Sequence, residues 1–529
     1  MKRSIRFTVF AFICMGVLFA SSTRFIDSQL LPKWFVMIGG LLLISCYSAV
    51  CFSINSSKVK IQQNVSLQYV TVIIVSTILS QAIYGILQYI NILSSTCIFQ
   101  VAGSFDNPAG FSASLCAGLP FCILGIVQAK KKIRWIFIWA LVLVVVGVIL
   151  SESRAGILSL VIVLGYWFRK RFRISSSIKR IILFFLLSGV VIGLYYYKKD
   201  SADGRLLIWK CSISLLKDNL LIGGGAGTFE AHYMDCQAKY FMKHPDSQYA
   251  MIADNVQYPF CEYLNIGVNY GIIGLCVAFC IIGYMFRCYY KEQTPEKETA
   301  FLCWLSIAIF ALFSYPLMYP FVWLMLLYSA YLLIRKQIYN RCFHVKKFGL
   351  LIGVLWICLS IYIGVQTFQR MKAELEWTEI SNLALLGKTE EAFPRYRKIY
   401  VYLKTDRYFL YNYSVELYQA GEYQEGLAIA LQCRKYWADH DLEMLLGRLY
   451  EQLHQSNKAE QSYRLASHMC PNRFVPLYQL VLLLKKEQRL AEAIQIAKEI
   501  INKSEKVHSP IIFQIKREMR NLVDNRISH

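Results

Sequence analysis

The chain has 529 residues, of which 56% are hydrophobic and only 17% charged, with a mean hydropathy of +0.39 and a formal net charge of +23. A composition this apolar excludes an ordinary soluble globular protein. Seventeen cysteines without a CxxC pair argue against a metal or redox framework; most, such as Cys46, Cys122, Cys276 and Cys358, lie in apolar runs and read as small hydrophobes.

Apolar runs long enough to cross a bilayer recur through residue 366. We read about eleven spans, near 7–21, 34–53, 68–94, 110–128, 135–150, 154–168, 181–197, 259–286, 300–315, 318–334 and 348–366. The first follows Lys2, Arg3 and Arg6 like a signal peptide, but no clean small-x-small cleavage site comes after it. Beyond about residue 367 the text turns to mixed charge with helical periodicity, dividing the chain into 1–366 and 367–529. The first part holds 33 Lys/Arg against 14 Asp/Glu, and the second 24 against 20.

Alternate loops separate sharply in charge. The N-terminus, the loop at Lys58 and Lys60, and the loops 129–134, 169–180, 287–299 and 335–347 carry 23 Lys/Arg between them. The four short loops on the other side carry three, Arg24, Lys33 and Arg154. The positive-inside rule puts the N-terminus in the cytoplasm, so the basic runs are topology signals and nucleic-acid binding is not expected. The loop around GSFDNPAG (103–110), the SESRAG hairpin (151–156), the loop 198–258 and the tail then face the opposite side, the periplasm of a bacterial cell.

At the hairpin tip, Arg154 stands between Ser151, Glu152, Ser153 and the small pair Ala155-Gly156. A charge at the membrane surface is costly to bury, so it faces water or an anion; a plain interfacial anchor, or neutralisation by Glu152, is the simpler alternative. In the long loop, Arg205 and Trp209 are four residues apart and share a helical face. The apolar residues between Leu206 and Leu216, with Lys210 and Lys217, suggest a helix lying in the interface. The run 223-GGGAG-227 lets backbone amides approach a ligand closely, though it is equally a flexible turn. It fits neither nucleotide-loop pattern. Asp254, Asn255 and Glu262 approach the eighth span as polar candidates, with helix capping an equal explanation for the first two. His232, His244, Glu230 and Asp235 lack the spacing of a metal site, and no metal or other cofactor is expected. Cys211 and Cys236 share this loop and could pair in an oxidising compartment.

In the tail, small residues recur at Ala392, Gly426, Ala459 and Ala493, separated by 34, 33 and 34 residues. Leu446-Gly447, Tyr450, Tyr463, Ala466 and Pro471 fit the same tetratricopeptide period. Helix pairs stacked this way bury a shared core and leave a concave groove, usually for a polypeptide partner.

Read together, GSFDNPAGFSASL (103–115), ESRAGILSL (152–160), R-x-x-x-W (205–209), the glycine run and GIIGL (271–275) resemble the O-antigen ligase/O-antigen polymerase superfamily. That superfamily also contains bacterial protein O-oligosaccharyltransferases. The resemblance covers roughly residues 70–335. It implies an all-α polytopic bundle, here followed by an α-solenoid, acting as a metal-independent glycosyltransferase of the inner membrane. The donor would be a glycan on undecaprenyl diphosphate and the acceptor a lipid A-core, a growing chain or a protein. Carried onto this sequence, Arg154 and Arg205 hold the diphosphate, beside Lys210 and the backbone of Gly223, Gly224 and Gly225. Asn107, Trp209, His244 and Asn255 line the substrate cavity, and Asp254 or Glu262 is the base. Two departures stand out: Phe260 and Cys261 occupy the family's usual His-Asn place, and no proline precedes the glycine run. The readings from other classes are a membrane-anchored repeat scaffold for envelope assembly and a transporter. A pure anchor needs one span, and charged residues within the spans are scarce for a transporter.

Overall fold

The computed structural model describes residues 2–54, 63–95, 97–171, 189, 193, 195, 196, 199–344 and 349–524. Among them every regular element is a helix. The first six are α1 (Lys2–Phe19), α2 (Leu31–Ile54), α3 (Gln63–Tyr89), α4 (Pro108–Gln128), α5 (Lys131–Leu150) and α6 (Arg154–Arg171). Then come α7 (Lys199–Asp218), α8 (Thr228–Lys243), α9 (Glu262–Lys291), α10 (Pro295–Phe310), α11 (Pro320–His344) and α12 (Gly349–Leu385). The expected span 181–197 and the charges Lys58 and Lys60 fall almost wholly outside the described residues.

Among the described residues five stretches are long and apolar enough to cross a membrane: Leu31–Val50, Leu67–Tyr89, Pro108–Gln128, Lys131–Leu150 and Glu262–Lys291. A shorter apolar helix covers Phe7–Phe19. The expected spans at 154–168, 300–315, 318–334 and 348–366 coincide with α6, α10, α11 and α12. The chain is thus an all-α, multi-pass membrane protein. Two expectations change. The eighth span is interrupted at Gly271, whose backbone (φ 65°, ψ −164°) is not helical. No loop marks the composition boundary at 366, because α12 runs straight through it.

The chain forms two compact units. The membrane unit comprises Met1–Leu194, Phe260–Glu262 and Cys276–Glu379. Its axis is α4, buried continuously from Gly110 to Gly125 between α3, α5, α10 and α11. The sequence explains why: PAGFSASLCAGL is built of small residues, which let helices approach without the help of a hydrophobic effect in lipid. A Cβ on Gly125 would lie 2.2 Å from the Phe137 ring, and one on Gly118 2.5 Å from Ile78. Lys33, read from sequence as a loop charge, is instead fully buried. Its ammonium donates to the carbonyls of Ala20 (3.0 Å), Gln29 (2.7 Å) and Ser104 (2.8 Å), which satisfies all three of its N–H groups.

The loop-and-repeat unit comprises Tyr195–Pro259, Tyr263–Leu275 and Ile380–His529. By packing, the long loop therefore joins the tail rather than the spans. Its repeats are α13 (Thr389–Leu403), α14 (Arg407–Gln419), α15 (Tyr423–Arg434), α16 (His440–Gln452), α17 (Ser456–Met469), α18 (Val475–Lys486), α19 (Leu490–Asn502) and α20 (Pro510–Asp524). The starts of α13, α15, α17 and α19 are separated by 34, 33 and 34 residues, the period read from sequence. The small residues Ala392, Gly426, Ala459 and Ala493 are all buried where neighbouring helices close on one another. One left-handed residue precedes each of these helices at the same spacing: Gly387, Gly421, His454 and Gln488. This is an α-solenoid of tetratricopeptide type.

Candidate functional site

In the membrane unit, the α5–α6 hairpin is stitched by its own serines. Ser151 Oγ donates to Val148 O (2.7 Å), and Ser153 Oγ accepts the Gly156 amide (3.3 Å). Glu152 takes a left-handed φ of 52°, an unusual cost for a non-glycine residue that buys the tight turn. Arg154 opens α6 half-buried. A cation on the positive end of a helix adds to the dipole there, an electrostatic setting that favours an anion. Asn107 caps α4: its Oδ1 accepts from the amides of Ala109 (2.9 Å) and Gly110 (3.1 Å) and from Tyr319 Oη (2.9 Å). Glu262 is buried, at 6% exposure. Its amide donates to Ala311 O (2.9 Å) and its Oε1 accepts the Leu317 amide (3.0 Å), tying α9 to the turn after α10.

The remaining candidates lie in the loop-and-repeat unit. Arg205 and Trp209 share one α7 face, both half-buried, and Trp209 Nε1 donates to Pro259 O (3.0 Å). The side of α7 against α8 buries Leu207, Ile208, Cys211 and Leu215. Yet Leu206 and Ile213 remain 44% and 45% exposed, and Leu221 and Ile222 beyond the helix 67% and 71%. Apolar exposure on that scale beside an arginine fits a helix lying at a lipid surface. Lys210 and His244 meet the same ring, with Nζ 4.7 Å from the Tyr240 centroid and the imidazole 4.9 Å from it. Cys211 and Cys236 are both free thiols.

The glycine run is a backbone clasp. Gly224 N donates to Val268 O (3.2 Å) and Gly225 N to Asn269 O (2.9 Å), while Ile272 N and Ile273 N return bonds to Leu220 O (2.9 Å) and Leu221 O (3.1 Å). Gly223 N donates to Asn219 O (2.9 Å). With all three glycine amides spent on carbonyls, they do not form the phosphate cradle that the sequence suggests. What requires glycine is the crossing itself. A Cβ on Gly223 would lie 2.4 Å from Asn269 C, and one on Gly271 2.2 Å from Leu221 O, both at positive φ. The break in α9 and the glycine run are two sides of one contact.

Asp254 and Asn255 are held by the repeats. Asp254 Oδ1 accepts from Arg473 Nη2 (3.1 Å), and Asn255 Nδ2 donates to Asp439 Oδ2 (2.6 Å). Asn472 Nδ2 donates to Met251 O (3.1 Å) and Ala253 O (2.7 Å), Gln237 Nε2 to Asp254 O (3.1 Å), and Tyr408 Oη to Gln257 Oε1 (2.6 Å). Nearby, α8 packs along α17, with Arg407 paired to Glu230 (3.8 Å) and Arg434 to Asp235. The acidic half of the dismissed His232/His244 cluster is thus neutralised by repeat arginines. Burial pushes the Asp439 carboxyl above its ordinary range, against the pull of its hydrogen bonds from the Asp441 amide and Asn255. The His440 hydrogen bond holds Asp441 below it. A half-open cavity of about 660 Å³ lies among the repeats, with Asp254 on its wall beside Tyr411, Met444, Arg448, Phe474 and Ile512.

Arg473, Asn472 and Asp439 were not among the sequence candidates. A signal was present: the dipeptides Asp406-Arg407, Asp439-His440 and Asn472-Arg473 recur every 33 residues, an Asx-basic pair at the head of each repeat's first helix.

No curated protein matches the chain. Among solved structures it is similar to the Cut9–Hcn1 hetero-tetramer of the APC/C, at 12% identity over 94% of this chain and 83% of that one, and a TM-score of 0.23. It is likewise similar to yeast Tom70, at 10% identity over 91% and 97%, also with a TM-score of 0.23. Similarity this low bears no argument, and the solenoid rests on its own period. Residues 139–279, a stretch that takes in Arg154, Arg205, the glycine clasp and Glu262, match the family described as O-Antigen ligase.

Proposed function

We propose that this protein transfers a glycan from an undecaprenyl-diphosphate carrier to an acceptor at the periplasmic face of the inner membrane. The observation that carries the reading is the O-Antigen ligase match over 139–279, in a chain whose described residues include five bilayer-length apolar helices. Its chemistry is acid–base and electrostatic. As the glycosyl bond breaks, charge builds on the diphosphate leaving group, and a fixed guanidinium stabilises that charge more than it stabilises the ground state. Arg154 and Arg205 are each assigned to the phosphates; a guanidinium fork suits them better than a point charge. Lys210, directed to Tyr240, is a weaker participant.

Of the two candidate bases we favour Asp254. Its side chain is 62% exposed and borders a cavity, whereas Glu262 is buried and holds a backbone amide. The Asp254 carboxylate takes the proton of the acceptor hydroxyl as the bond to the diphosphate leaving group breaks. Between a lipid A-core, a growing chain and a polypeptide acceptor, the cavity beside Asp254 favours polypeptide, since its mixed apolar, aromatic and charged wall suits side chains. The scaffold reading loses ground on the same face, where repeat arginines are paired within the chain.

The test is transfer from a lipid-diphosphate donor in membranes with matched expression of Arg154→Ala and Arg205→Ala. Loss of one charge-assisted contact in the transition state predicts a fall in rate of about 10²–10³-fold in each. Undiminished transfer in both variants would overturn the mechanism.

A further inference from the structure

The segment 251–257 contains no helix or strand, only a turn and extended chain. A stretch of that kind carries unpaid backbone entropy and takes no single shape unless its surroundings impose one. Here the surroundings are the heads of the repeats. Asn472 binds two of its carbonyls, Arg473 binds the Asp254 carboxylate, Asp439 binds Asn255, and Tyr408 binds Gln257. From inside the loop, Gln237 completes the set by donating to both Asp254 O and Met469 O (2.7 Å). Three of the four repeat residues are members of the Asx-basic series that recurs every 33 residues, and the fourth, Tyr408, stands beside one.

We infer that the repeats are the template of this segment, holding it in the conformation in which transfer takes place, with Arg473 the positioning residue of Asp254. The role as positioning residue rests on Asp254 being the base proposed above; the template role does not. Arg473 and Asp254 line the same cavity. Arg473 acts by fixing where the carboxylate points, and the Asn255 amide, which donates to Asp254 Oδ1 (2.8 Å), is fixed along with it. Asn472 and Asp439 set the chain on either side. This makes the repeat domain a working part of the enzyme that cannot be dispensed with once transfer is required.

The experiment compares the purified full-length chain with Arg473→Ala, Arg473→Lys, Asn472→Ala and the double variant Asn472→Ala/Arg473→Ala. Arg464→Ala, which removes an arginine paired with Glu460 within α17, is the control. Amide exchange of the peptide covering 249–259 is measured beside transfer from a lipid-diphosphate donor. An exposed pair such as Arg473–Asp254 holds by a factor of about two to five. Arg473→Ala therefore raises exchange of the segment by about that factor, Arg473→Lys restores part of it, and the double variant raises it about tenfold or more. In all of them α8 and the repeats keep the protection of the wild type, which separates positioning from unfolding. Transfer falls with exchange, and Asp254→Asn/Arg473→Ala transfers no worse than Asp254→Asn.

Unchanged exchange in the double variant overturns the template. Raised exchange with wild-type transfer overturns its role in the reaction. Asp254→Asn alone tells the two readings apart: wild-type transfer there removes Asp254 as base and Arg473 as its positioning residue, while exchange still decides the template.

Discussion

Replacing Gly223 by Ala separates a structural glycine run from a phosphate-binding one. The new Cβ would stand 2.4–2.5 Å from Asn269 C, Asn269 O and Tyr270 N, all backbone atoms with no rotamer to yield. Its φ of +69° adds about 1–2 kcal/mol for a left-handed L-residue. Relieving the clash moves the two strands of chain apart and puts four backbone hydrogen bonds at risk, each worth about 0.5–1.5 kcal/mol net. The clasp should weaken by about 3 kcal/mol or more, which is about a hundredfold in its opening equilibrium. Gly271→Ala, aimed at Leu221 O from the other side, should match it. Gly225→Ala is the contrast: its φ is +96° but nothing lies within 4 Å of its Cβ, so it incurs only backbone strain of about 1–2 kcal/mol. The assay is amide exchange of peptides covering 219–228 and 266–275 in the detergent-purified chain. The reasoning is refuted if Gly223→Ala and Gly225→Ala exchange alike and differ from wild type only in the KM for the lipid-linked donor, as expected of a phosphate cradle.

Two further substitutions test the fold. Lys33→Met keeps the bulk but leaves the carbonyls of Ala20, Gln29 and Ser104 without a donor, and should destabilise the membrane unit by about 2–5 kcal/mol. A drop of several degrees in the tryptophan-fluorescence melting midpoint checks it, and an unchanged midpoint would show the ammonium to be dispensable. Replacing His454 and Gln488 by Gly removes left-handed strain at φ of 57° and 61°. Net of glycine's greater entropy when unfolded, each change should stabilise the repeats by about 0.5–1 kcal/mol, seen as slower amide exchange in α17 and α19.

The parts of the fold that were legible in the sequence are those in which one residue type repeats in register with its neighbours. Ala392, Gly426, Ala459 and Ala493 mark helix crossings because a crossing needs a small side chain at the same point of every repeat. Lys33 and the glycine run were misread for a common reason: each satisfies a partner far away in the chain. Lys33 looked like a loop charge because hydropathy cannot show that three carbonyls converge on its ammonium. The glycines looked like an anion cradle because their amides find partners in Val268 and Asn269, more than forty residues on. The Asx-basic pairs were visible at a spacing of 33, but a single Asp or Asn before a helix reads first as a cap, and Asp406 and Asp439 do cap their helices. Only the side-chain partners in the loop reveal the second use.

Those partners also bear on why a membrane transferase should carry repeats. A scaffold presents its charged groove residues to another protein, and their pairing within the chain would waste them. Here Arg407, Arg434 and Arg473 each meet a carboxylate of the 198–258 loop, at Glu230, Asp235 and Asp254. Individually such pairs hold little, since solvent screens them and ordering the side chains costs entropy. Spread along α8 and the segment after it, and joined by hydrogen bonds to Gln237, Asn255 and the carbonyls of Met251 and Ala253, they order a stretch that has no periodic structure of its own. With Asp254 as the proposed base, the loop needs such support, because a misplacement of about 1 Å costs about a hundredfold in rate. The repeats supply it from residues that also line the cavity beside Asp254, Asn472 and Arg473 among them, so ordering the loop and shaping that cavity draw on the same surface.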